Sequence, residues 1–224
     1  SPFRHYLLSP HQTRFLFAHK NWSRVVGFHT RNVAHRVHQF IQIEALERAH
    51  ADGLFISPVI GPKKPNDFLP EPIMRSYQLL LEFGRYETGR VILGGFSTWP
   101  RYCGPREAVF TALCRKNMGC SHFIIGRDHA GVGDFYGPDE NRRIFDAVGD
   151  IGIEPMFFDA IGFDEATQRY VPEGHGGAVP QSISGTMARE TLIAGDRLPD
   201  WFMDDVVQDM LHDEIAAGRQ VLYK

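Results

Sequence analysis

The chain has 224 residues, 43% of them hydrophobic, which is enough to bury a full core in one large domain or a domain with a small appendage. A net charge of -3 supplies no basic stripe, so general nucleic-acid or membrane-surface binding is disfavoured and small-molecule chemistry is the default. Cys103, Cys114 and Cys120 form neither a disulfide framework nor a CxxC zinc pair, "SPFRHYLLSPHQTRF" lacks a signal-peptide core, and no stretch approaches about 18 apolar residues, so the expectation is a cytoplasmic protein that is neither exported by that route nor membrane-spanning.

In chain order, Ser9 before Pro10 is a cap and first-turn pair that predicts a short helix over residues 10–19. "RVVGF" (24–28) reads as a buried strand, and "AHRVHQFIQIEALERAHA" carries apolar residues at helical spacing into a second strand, "GLFISPVI" (53–60). After the breaker-rich "GPKKPND" the pattern repeats: a helix over about 71–84, strand "RVILGGF", a helix from Pro105, strand "HFIIG", a helix from about 138, and strand "EPMFF".

Strands separated by helices predict an α/β fold, a Rossmann-like doubly wound parallel sheet of about five strands. Functional groups then belong in the loops at the carboxyl ends of the strands. Those loops are the chemically rich ones: "HTRNVAH", "GPKKPND", "STWPRYCGPRE" and "RDHAGVGDFYG". The pattern divides residues 1–160, the α/β domain, from 161–224, which completes the same unit. There "IGFDEATQRYVPEGHGGAVPQS" reads as an irregular excursion, and "ISGTMARETLIAG", capped by Ser184, and "PDWFMDDVVQDMLHDEIAAG" as closing helices.

"FHTRNVAHRVHQ" (28–39) crowds three histidines between a strand and a helix. On a helix beginning near Ala34, His35 and His38 share one face of the first turn, where free N–H groups and the positive dipole end suit phosphate. Coordination of a metal, with His29 as third ligand, and a merely packed or solvated role are the competing readings; nothing in the spacing demands a metal. "IIGRDHAGVGDFYG" places Arg127, Asp128, His129 and several glycines after a strand, an anion nest or a tight turn with incidental charges. Its glycines miss the G-x-G-x-x-G spacing, and no Walker A loop is present. "ISGTMARE" taken alone is a capped helix start.

Together these motifs resemble the ATP sulfurylase (sulfate adenylyltransferase) family, whose pattern runs Q-T-R-N-P-x-H-R-x-H, G-x-x-K-x-x-D, A-G-P-R-E, G-R-D-H-A-G and I-S-G-T-x-x-R. "HTRNVAHRVH", "GPKKPND", "CGPRE", "GRDHAG" and "ISGTMAR" occur in that order, and the likeness runs from about residue 9 to the end. The resemblance implies a nucleotidyltransferase that joins the AMP moiety of MgATP to an oxyanion, releasing pyrophosphate, with ATP and the oxyanion as partners and a possible homo-oligomer. It implies that Arg31 holds the oxyanion with His29 and the Ala130 backbone N–H, and that Asn32 contacts the α-phosphoryl group. His35 and His38 would stabilise the triphosphate, and Thr30, Gly126, Arg127, Asp128 and His129 would line the nucleotide. Arg189 would support the late helix start, and Met156 and Phe157, after the fifth strand, would border the adenine.

The chain also departs from the family pattern. His29 replaces a glutamine and Val33 a proline, the expectation is a protein without the family's usual N-terminal β-rich domain, and the cysteine segment that binds zinc in some members is replaced, so no zinc is expected. Imidazole donates or accepts according to its protonation, so His29 opens the reading that another tetrahedral oxyanion, such as phosphate, a phosphonate or selenate, is the acceptor. A non-catalytic nucleotide-binding module is the reading from a different class. "PDWFM" near the end suggests a subunit contact.

Overall fold

The computed structural model describes residues 3–127, 129, 131, 135–137, 139–174 and 180–224. α1 (Pro10–His19) starts where the sequence predicts: Ser9 accepts from the Gln12 backbone N–H at 3.3 Å while the Gln12 side chain accepts from the Ser9 N–H at 2.8 Å, a reciprocal capping box. β1 (Val25–Thr30), β2 (Gly53–Pro58), β3 (Val91–Leu93), β4 (His122–Gly126) and β5 (Glu154–Phe158) form one sheet in the order β3-β2-β1-β4-β5, every pair parallel. The expected doubly wound α/β sheet is the observed one. β3 is shorter than "RVILGGF" because Gly94 and Gly95 turn to other partners; the Gly95 N–H donates to the Tyr6 carbonyl at 2.7 Å.

By internal contacts the chain divides into two compact units: Ser1–Arg31, Ile41–Pro62 and Glu87–Phe158 in the first, and Asn32–Phe40, Lys63–Tyr86 and Asp159–Lys224 in the second. The first holds the sheet. Its core joins Phe17 of α1, Val25, Phe55, Phe123 and Ile125 of the strands, Ala108 and Ala112 of α4 (Pro105–Met118) and Phe145 of α5 (Glu140–Val148). Thr13 fastens α1 to α4, donating its hydroxyl to the Met118 carbonyl at 2.6 Å.

The second unit contains α3 (Pro70–Glu82), a hairpin of β6 (Ile161–Asp164) and β7 (Arg169–Pro172), α6 (Gly185–Ile193) and α7 (Asp205–Ala216). The hairpin corrects the irregular excursion expected there. Asp164 closes its turn by accepting from the Ala166 N–H at 3.0 Å and the Thr167 hydroxyl at 2.7 Å, with Gln168 at a φ of 54°. Side-chain bonds of this kind leave no hydrophobic period to read. The last helix is also shorter than expected, because Asp204 caps α7 and residues 199–203 precede it as a turn in which the Phe202 N–H reaches the Pro199 carbonyl at 2.8 Å. Of "PDWFM", from which a subunit contact is expected, Phe202 and Met203 are buried within the chain, Trp201 is half-buried, and Pro199 and Asp200 are exposed.

Candidate active site

β1 lies between β2 and β4, so the strand order reverses at its side and its carboxyl end is the topological switch point of the sheet. His29 and Thr30, expected in a loop, are the last residues of β1; the buried Thr30 carbonyl accepts from the Val59 N–H at 2.9 Å. Register places His29 opposite Ser57 of β2. Beneath His29 lies a residue that the sequence reading passed over. Arg115 of α4 is fully buried, and its Nη2 donates to His29 Nδ1 at 2.9 Å and to the Ser57 carbonyl at 2.8 Å.

The Arg115 guanidinium carbon lies 4.1 Å from the centroid of Phe96, a cation-π contact that offsets part of its burial. Burial lowers its pKa to about 10, so it stays charged at neutral pH. A legible signal existed: Ala108, Thr111, Ala112 and Arg115 recur at helical spacing, which puts the arginine on the stripe of α4 that faces the core.

His129 is 8% exposed, with its ring 5.4 Å from that of His29. Its Nε2 is hydrogen-bonded to the Thr111 hydroxyl at 3.1 Å, and that hydroxyl also lies 2.9 Å from the Glu107 carbonyl and 3.1 Å from the Ala108 carbonyl. Burial, then Arg115 and Arg31, lowers the His129 pKa to about 3. Burial, then Arg115, His129 and Arg31, holds His29 well below its ordinary value.

Arg31 follows β1, with its guanidinium 5.0 Å from the centroid of Tyr102 and its Nη2 donating to the Gly131 carbonyl at 3.4 Å. Tyr102 sits at a φ of 54°, and the loop around it is gathered by the buried Glu107 carboxylate, which accepts from the Arg101 N–H at 2.9 Å and the Cys103 N–H at 3.3 Å. Gly126 ends β4 and exposed Arg127 follows; Asn141 Nδ2 donates to their carbonyls at 3.3 and 3.2 Å. Asp128 and Ala130 lie outside the described residues. Met156 and Phe157 lie within β5 and not after it, because the strand runs on to Phe158; Phe157 packs against Phe145 and under Arg142.

α2 (Arg36–Arg48), of which residues 36–40 belong to the second unit, begins two residues later than expected. His35 occupies the cap position: its carbonyl accepts from the Gln39 N–H at 3.2 Å and its Nδ1 from the His38 N–H at 3.4 Å. The imidazoles stack at 3.6 Å between centroids, His35 also stacks on Phe202, and His38 Nδ1 lies 3.3 Å from the Tyr77 hydroxyl. Burial lowers the His35 pKa to about 4, and burial with His35 lowers that of His38. Both rings are therefore neutral at pH 7. With Nδ1 of His35 accepting a backbone proton, its own ring proton is on Nε2, as a donor.

Ser184 caps α6 as expected, accepting from the Met187 N–H at 3.1 Å. Asn32, Val33 and His35 share a cavity of about 100 Å³ with Gly185, Ala188 and Arg189 of that helix start. A cleft of about 670 Å³ beside it is lined by Lys64, Asp67, Thr186 and again Arg189. Asn32, Val33 and His35, residues 64–67 and the start of α6 thus meet around Arg189, whose Nη1 lies 4.0 Å from the buried Asp67 carboxylate. Among the described residues, no group of three or more His, Cys, Asp or Glu is placed to hold a metal ion.

A parallel sheet in Rossmann order, with arginine and histidine side chains at its switch point, defines a doubly wound α/β protein of the Rossmann-like class. Its family follows from comparison. The ATP-sulfurylase family model matches residues 4–214, and the chain belongs to that family. It is 44% identical over 225 residues to the sulfate adenylyltransferase of Symbiobacterium thermophilum, covering 97% of this chain and 56% of that one, and 41% identical to that of Pyrococcus abyssi, covering 94% and 56%. The chain therefore spans about half the length of the curated relatives it matches. Among solved structures, a hexameric APS kinase from Thiobacillus denitrificans superposes with a TM-score of 0.73 over 95% of this chain and 40% of that one, at 22% identity. A bifunctional NMN adenylyltransferase/ADP ribose pyrophosphatase from Francisella tularensis gives 0.54 at 14% identity, over 87% of this chain and 50% of that one. At such identities these two likenesses concern the fold alone.

Proposed function

We propose that the protein is a sulfate adenylyltransferase, joining the AMP moiety of ATP to sulfate. A sulfate oxygen forms a bond to the α-phosphorus, the bond from that phosphorus to the bridging oxygen breaks in line, and pyrophosphate leaves. Sulfate is already ionised, so no general base is required, and the protein contributes position and electrostatic complementarity. Arg31 and His29 would bind sulfate with the Ala130 N–H, and Asn32 the α-phosphoryl group. His35 and His38 would donate to the bent triphosphate from a helix start, and Arg189 would support the α6 terminus beside it. Thr30, Gly126, Arg127, Asp128 and His129 would line the nucleotide, and residues 161–224 would complete the catalytic unit begun by residues 1–160.

The observation that carries this reading is the gathering of Asn32, His35 and the capped start of α6 on one cavity, in a chain of this family. Mg²⁺ enters as part of the substrate, held by the phosphates of ATP. The test is pyrophosphate release from MgATP with sulfate, selenate, phosphate and a phosphonate in turn. Turnover with sulfate is expected. Turnover with phosphate and none with sulfate would reassign the acceptor, and ATP binding without turnover on any anion would make the chain a binding module.

A further inference from the structure

We infer that Arg115 is a positioning residue that fixes His29 as a hydrogen-bond donor through Nε2, and thereby selects acceptor anions that carry no proton. The guanidinium has only donors, so the contact at 2.9 Å requires a lone pair on His29 Nδ1. A neutral imidazole with a bare Nδ1 carries its proton on Nε2. Arg115 cannot adapt to the other tautomer by swinging away. It is fully buried in α4, its Nη2 also holds the Ser57 carbonyl at 2.8 Å, and a ring face is packed on its guanidinium carbon at 4.1 Å.

The floor beneath it is equally tight: a Cβ on Gly27 would come within 3.0 Å of Arg115 Cγ. Arg115 Nε and Nη1 have no hydrogen-bond partner among the described residues. A buried guanidinium so incompletely paired is costly as a purely structural element, which argues that its placement serves the histidine.

The consequence for recognition is chemical. An imidazole free to exchange tautomers could accept from the hydroxyl of a hydrogen phosphate as readily as it donates to sulfate. With Nδ1 occupied, His29 offers a donor alone, the role a glutamine amide N–H fills. Sulfate and selenate present only acceptor oxygens to it, whereas hydrogen phosphate would have to turn its O–H elsewhere. The choice of anion rests on the adenylyltransferase reading above; the tautomer does not.

The experiment is a long-range ¹H–¹⁵N correlation spectrum of the histidine rings in the full chain at pH 7, with His29 assigned by its loss in H29Q. The Nε2–H pattern is expected, and an Nδ1–H or rapidly averaging pattern overturns the proposal. In Arg115→Met, His29 is expected to average between tautomers, with KM for sulfate rising about tenfold, kcat changing less, and the preference for sulfate over phosphate narrowing. A folded variant with the same tautomer and the same anion preference overturns it. If Arg115→Met does not fold, the wild-type spectrum together with displacement of labelled sulfate from the wild-type protein decides, hydrogen phosphate being expected to displace it about tenfold less well than unlabelled sulfate does, and equal displacement overturning the selection. An Nε2–H spectrum without turnover on any anion would sink the adenylyltransferase reading and leave the tautomer assignment standing.

Discussion

His29, His35, His38 and His129 all have pKa values held below the ordinary histidine value, mainly by burial, and this ties stability to pH. As pH falls, the unfolded chain takes up protons first, near 6.5, while the folded chain resists until about 4 at His35 and about 3 at His129. The stabilisation is therefore complete above pH 7 and declines as pH falls through 6.5 towards those values, by at most about 1.4 kcal/mol per pH unit for each ring. Urea midpoints measured at pH 7, 6 and 5 should decrease, and His129→Asn should flatten the trend. A midpoint constant over that range would contradict the neutral assignment. The residue types were legible from the motifs. Their protonation was not, because it depends on Arg115, Phe202 and Tyr77, which reach these rings from distant positions in the chain.

At the scale of elements, the start of α2 is held by contacts that no local pattern announces. Asp204, 1% exposed, caps α7, accepts from Arg85 Nη2 at 3.3 Å and forms ion pairs with Arg85 Nε at 2.9 Å and Arg36 at 3.2 Å, while the Arg36 N–H donates to the Phe202 carbonyl at 2.8 Å. Asp204→Ala removes a helix cap, a charge-assisted bond from Arg85 and the ion pairs with Arg85 and Arg36, whose side chains are half exposed, so a loss of about 2–4 kcal/mol is expected by urea denaturation. On the proposed adenylyltransferase reading, ATP affinity should fall with it, because the same contacts hold the residues that follow His35. Ser9 and Ser184 behaved as their sequences predicted, since a cap is a short-range bond. The β6–β7 hairpin and the delayed starts of α2 and α7 were missed because side chains of Asp164, His35 and Asp204 set those boundaries.

At the scale of the whole molecule, the first unit's core rests on Phe123, fully buried between its sheet neighbours and edge-on to His129 at 5.5 Å. Phe123→Ala should cost about 3–5 kcal/mol, read from chemical denaturation, because the void cannot close against a paired strand. Among the described residues no helix is long and apolar enough to cross a membrane.

By itself the sequence determined the strand and helix alternation, the parallel sheet, the caps and the family's motifs in their order, all of which rest on short-range periodicity and local bonding. The tertiary structure alone decided that His29 and Thr30 end a strand, that His35 caps a helix, that Phe202 and Met203 are core, and that Arg115 lies under His29. Each of these turns on which distant group occupies the space beside a residue, and with it the charge and hydrogen-bonding sense that residue presents.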